Sequence, residues 1–138
     1  AYGAEHSGLG DIVREQAATQ DLVLSPDPRP EEVIFVRSDQ YSFVKAGIPA
    51  VFLVPGFTSS DDTVDGEALW RDFEDEHYHG VGDDLSLPFD AESAKRFAMA
   101  NFLIGLDVAN RDALVQWKEG DFFGERFASK RAASASAP

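Results

Sequence analysis

Imidazole is a scarce metal-binding group in this chain, and thiolate is absent: its 138 residues include three histidines and no cysteine. Thiolate zinc clusters, cysteine nucleophiles and disulfide frameworks are therefore excluded. His6 precedes a helix start and reads as a surface or capping side chain. His77 and His79 lie in Glu74-Asp75-Glu76-His77-Tyr78-His79-Gly80-Val81-Gly82-Asp83-Asp84. There, a neutral imidazole can ligate a metal while a carboxylate orients its other nitrogen. No partner stands at the i, i+4 spacing of a helical metal motif, so for the run taken alone a solvated acidic loop is the better reading. A second acidic run, Asp61-Asp62-Thr63-Val64-Asp65-Gly66 with Asp72 beyond it, sets oxygens where an EF-hand loop has them. It lacks the terminal Glu and the preceding helix of that motif, and a solvated loop is the better reading. Ser38, Ser59 and Ser60 lack the Gly-x-Ser-x-Gly setting of an activated nucleophile.

The elements that must position these groups follow from capping and periodicity. Ser7 is a helix N-cap, with Leu9, Ile12, Val13 and Ala17 behind it as one apolar stripe. Leu22–Leu24 and the β-branched run Val33–Val36 read as strands. Ser38 caps a short helix through Lys45 that ends at Gly47. Ala50–Val54, bounded by Pro49 and Pro55, reads as a buried strand. Glu67–Phe73 forms a short helix, and Glu74–Leu87 is loop. Asp90 caps a long helix from Ala91 to about Asn110, apolar around most of its circumference and so expected to be well buried. Residues 1–127 form the folded domain, and 128–138, small and polar, form a disordered tail. Strands alternating with helices predict an α/β layered domain.

Two segments resemble a known family. Phe35-Val36-Arg37-Ser38-Asp39-Gln40-Tyr41-Ser42-Phe43 with Ala46-Gly47-Ile48-Pro49-Ala50 resembles the Ser-Asp-His/Gln segment and Gly-x-Pro-Ala strand of the dizinc aminopeptidases. This family contains bacterial leucyl aminopeptidase and the glutamate carboxypeptidase-like enzymes. Tyr78-His79 with Asp83-Asp84 resembles its Tyr-His-x-Pro-x-Asp-Asp motif, although Gly80-Val81-Gly82 replaces the usual proline stretch. Trp117-Lys118-Glu119-Gly120-Asp121-Phe122-Phe123 is similar to a C-terminal signature of one bacterial branch.

The resemblance implies a three-layer αβα sandwich of which this chain is the C-terminal part. It implies that His79 is the last zinc ligand of a two-zinc site and that Tyr78 stabilises the oxyanion of the tetrahedral intermediate. Asp39 and Tyr41 are placed near the substrate pocket, and His77 has no counterpart. In the parent enzyme the two zinc ions acidify a shared water, and a Glu base passes its proton to the leaving amine of an N-terminal peptide bond. The family's remaining ligands and that base lie earlier, and no matching motif is found here. The chain alone is therefore expected to bind zinc weakly at most and to be inactive. A sheet edge bared by the missing strands favours self-association.

Composition bounds the partners. Asp and Glu number 25 against 12 Lys and Arg, a formal net charge of −13. That balance argues against nucleic acid and anionic membrane and leaves a peptide substrate. The alternative to an exopeptidase portion is a non-catalytic acidic module that binds a divalent cation or a protein partner.

Overall fold

Ser7 is completely buried; its hydroxyl accepts the Leu9 amide at 3.2 Å, and its carbonyl accepts the Gly10 amide. This turn opens α1, Leu9–Ala18, whose buried face is the expected stripe Leu9, Ile12, Val13 and Ala17. Gly10 shares that face because a methyl there would run into the Ala4 carbonyl oxygen. The computed structural model describes residues 1–59 and 61–135; Ser60 and 136–138 lie outside the described residues.

The chain divides into two compact units: Ala1–Val54 with the segment from Ala98 onward, and Pro55–Phe97. Among the described residues, six α-helices follow in order: α1, α2 (Ile34–Arg37), α3 (Tyr41–Lys45), α4 (Gly66–Glu76), α5 (Ala91–Ala109) and α6 (Phe122–Ala135).

The first unit is held by two apolar clusters. Leu9, Ile12 and Val13 of α1 pack on Ile104 of α5, with Leu24, Val51, Leu53 and Val115 at the margin. Tyr2, Phe35 and Val44 form the second cluster, flanked by Ala50, Val54, Trp117, Phe123 and Phe127. Gly3 holds φ +82 beneath the Phe35 ring, where a side chain would clash. The Trp117 indole donates to the Gly47 carbonyl at 3.1 Å, so the closing Trp-to-Phe signature is a core element. His6 is built into the same seam rather than lying on the surface. Its ring stacks on Phe35 and meets the edge of Phe123, and its Nδ1 lies 2.7 Å from Asp121 Oδ2. Asp121 Oδ1 also accepts the Phe123 and Gly124 amides, which caps α6.

The second unit is thinly packed. Asp65 caps α4 through the Ala68 amide, and none of the residues of α4 is buried. Phe57 and Trp70 lie 6.5 Å apart, and Phe73 and Tyr78 lie 5.8 Å apart. Leu69, an apolar residue of α4, is exposed.

The α/β three-layer sandwich expected from the sequence is overturned: the described residues are helical and form no sheet. Extended pairing is confined to isolated bridges at Tyr2–Phe52 and Ser7–Trp117. A strand needs a neighbouring backbone to saturate its edge, and Ala50–Val54 finds one only at Phe52. Leu22–Leu24 takes no regular structure. Val33–Val36 is not a strand either: Val33 adopts φ 48, and Ile34 opens α2, which sends Phe35 into the core. β-Branching records a liking for packed pleated surfaces, and tertiary contacts override it here. Ser38 does not cap α3. It ends α2, donating its hydroxyl to the Ile34 carbonyl.

Helix α5 is less buried than its composition suggests. Only Ala100 and Ile104 are buried, whereas Phe102 is 61% exposed. Helix α6 reaches Ala135, inside the stretch read from sequence as a disordered tail. Among the described residues, no helix is long and apolar enough to cross a membrane.

Candidate functional site

The four residues singled out from the sequence fall into the two units, Asp39 and Tyr41 in the first and Tyr78 and His79 in the second.

Asp39 stands on the turn between α2 and α3, exposed, with its carbonyl accepting the Ser42 amide. It lines an open cleft of about 590 Å³ together with Ser38, Gln40, Phe43, Ala50, Val51 and Phe52. Gln40 is pinned there because its side-chain amide donates to the Phe35 carbonyl at 2.9 Å. Tyr41 faces elsewhere: half-buried, it packs toward Tyr2, Phe35 and Val44 and lies edge-on to Phe123 at 6.3 Å, with Lys45 Nζ 5.3 Å from its ring. Tyr41 is not among the cleft-lining side chains. Phe43 and Phe52, two aromatics of the cleft, carried no sequence signal for this role. Each is an ordinary apolar residue until the Tyr2–Phe52 bridge and the turn of α3 bring them together.

Tyr78 and His79 follow the C-terminal end of α4. The His77 and Tyr78 amides both donate to the Phe73 carbonyl, which closes the helix. His79 then takes the left-handed conformation at φ 59, sparsely populated for a residue with a Cβ. Its ring stacks on Tyr78 at 3.8 Å between centroids, and both side chains are exposed. The loop runs on through Gly80, whose amide donates to the His77 carbonyl. Asp84 accepts the Ser86 amide at 2.8 Å. Hydrogen bonding from Ser86 holds the Asp84 carboxyl below its ordinary value, with His77 adding a smaller electrostatic pull in the same direction.

Among the described residues, no three His, Cys, Asp or Glu side chains are gathered closely enough to hold a metal ion. His79 presents one imidazole beside one phenol, which is a ligand and a hydrogen-bond donor but not a metal centre. The donors of this chain alone do not fit two zinc ions. In the other acidic run, Asp61 accepts both the amide and the hydroxyl of Thr63. Those bonds hold the Asp61 carboxyl below its ordinary value. Asp65 is engaged as the cap of α4.

Comparison with known proteins adds one match. The family model for peptidase family M28 covers residues 1–104, a span that includes Asp39, Tyr41, Tyr78 and His79. Searches of curated proteins and of solved structures returned no match. The family model spans most of the chain, and the chain belongs to peptidase family M28.

Proposed function

We propose that this chain is a portion of a zinc-dependent exopeptidase that hydrolyses N-terminal peptide bonds, and that it supplies His79 as one zinc ligand. The observation that carries the reading is the family match over residues 1–104, which spans every candidate site residue. Tyr78 is the companion group. Its exposed phenol is able to donate a hydrogen bond to a developing oxyanion. Asp39 and its cleft take part of the peptide substrate, with Tyr41 bracing the turn that carries Asp39. The chain by itself is inactive, because a two-metal hydrolase needs several fixed donors for its ions and a base for the proton. The net charge of −13 supports a peptide rather than a nucleic acid or an anionic membrane as partner.

The alternative, an acidic module that binds a divalent cation, starts from Asp61 and Asp65, and both already accept hydrogen bonds within their own loop. Calorimetric titration separates the two. The proposal expects weak zinc binding, lost in His79→Ala and kept in Asp61→Ala. Calcium binding lost in Asp61→Ala or Asp65→Ala, with no zinc binding that depends on His79, overturns it.

A further inference from the structure

Val33 holds φ 48 and ψ 38, in the left-handed region. A β-branched residue is a true outlier there, because its Cβ crowds the following carbonyl oxygen. The residues after it are also held against their preference. Ile34, Phe35 and Val36 favour extended backbone, yet they open α2, which has four residues and no side-chain cap. Strain of this kind persists only where the surrounding contacts over-determine it.

Those contacts converge on Phe35, which is 8% exposed. Its ring lies 5.1 Å from that of His6 and 5.3 Å, edge-on, from that of Phe123 in α6. A Cβ at Gly3 would fall inside that ring. The Phe35 carbonyl accepts the Gln40 side-chain amide at 2.9 Å, and Gln40 adjoins Asp39 on the turn into α3. The strained stretch is therefore joined on one side to α6 and on the other to the turn that carries Asp39. Helix α6 itself lies beyond residue 104, where the family match ends.

We propose that Val33–Val36 is a sprung segment latched by α6, so that the C-terminal helix governs the order of the cleft wall. With Phe123 against Phe35, the segment is held helical and the Asp39 turn is fixed. When α6 lifts, residues 33–36 relax toward extended backbone and the turn loosens. Such a device needs two states and a contact that favours one of them; Phe35 in or out of the seam supplies both. That the cleft takes a peptide rests on the proposed function, whereas the latch does not, and zinc titration of His79 leaves it untouched.

The test is amide hydrogen exchange in the intact chain at Val36 and Ser42, whose amides donate to the Val33 and Asp39 carbonyls. The amides of α1 serve as internal reference. Val33→Gly and Val33→Asn, residues that accept the left-handed conformation, should slow exchange at both positions by about fivefold. Val33→Ala removes the same branched methyls without that tolerance and should gain less than either. Phe123→Leu should speed exchange at Val36 and Ser42 by about fivefold with α1 unchanged, and adding Val33→Gly should bring the rates back. Exchange in the Gly and Asn variants no slower than in the native chain overturns the spring, as does an Ala variant equal to them. Phe123→Leu speeding α1 as much as Ser42 overturns the latch, because the seam would then serve only global stability.

Discussion

Asp121 makes two kinds of bond at once, holding the His6 ring with one oxygen and the first amides of α6 with the other. Its side chain is 11% exposed and that of His6 22%, so the bond at the seam is only partly screened by solvent. Removing the carboxylate by Asp121→Ala forfeits a cap and a short polar bond, together worth about 2 kcal/mol. Chemical denaturation should show that loss. A double-mutant cycle with His6→Ala should return a coupling of about 1 kcal/mol, and purely additive losses would show that the pair does not staple the fold. Nothing local in the sequence announces this contact, because its partners stand 115 residues apart. His6 read as a surface side chain for that reason. Asp39, by contrast, was singled out from its motif, and it lines a cleft. Phe43 and Phe52 were not, since only tertiary contacts place them beside it.

Helices and strands differed in how far they could be read, and the reason is where their stabilising bonds lie. Helix α1 carries its own signals: a hydroxyl at Ser7 and a stripe at helical spacing, with every main-chain bond inside the element. Ala50–Val54 carries equally strong apolar character, but a strand is completed by other strands, and one bridge is all it finds. Within the helices, two glycines make opposite predictions. Gly10→Ala should destabilise by more than about 1 kcal/mol, since the new methyl meets the Ala4 carbonyl. Gly105→Ala, inside α5 with open space around it, should stabilise by about 0.5–1 kcal/mol. Thermal denaturation of both variants checks the contrast, and a neutral Gly10→Ala would refute the close approach of α1 to residue 4. Asp90, just before α5, gives a pH prediction. Hydrogen bonds from the side chain and amide of Ser93 hold its carboxyl below its ordinary value. A lowered folded value means that the stabilisation is complete above the unfolded value and fades as pH falls through the folded one. Exchange at the Glu92 and Ser93 amides should therefore show a loss of protection below about pH 4. Asp90→Asn should abolish that pH dependence; an identical profile in the variant would assign it to another group.

Across the whole molecule, a strongly acidic chain carries apolar surface that its own fold leaves uncovered, on α5 at Phe102 and Leu106 and in the second unit at Leu85 and Phe89. Large exposed apolar area marks a surface made to be covered. The chain belongs to peptidase family M28, and the proposed function makes it a contributor to a catalytic centre rather than the centre itself. The central claim is that this chain supplies His79 and cannot perform the hydrolysis alone. The most direct measurement is turnover of a chromogenic aminoacyl-anilide by the purified chain in excess zinc, with its dispersity followed by light scattering. The account predicts no turnover above the uncatalysed rate, with or without zinc. Zinc-dependent turnover that a chelator abolishes, from a monodisperse sample of this chain, would contradict it.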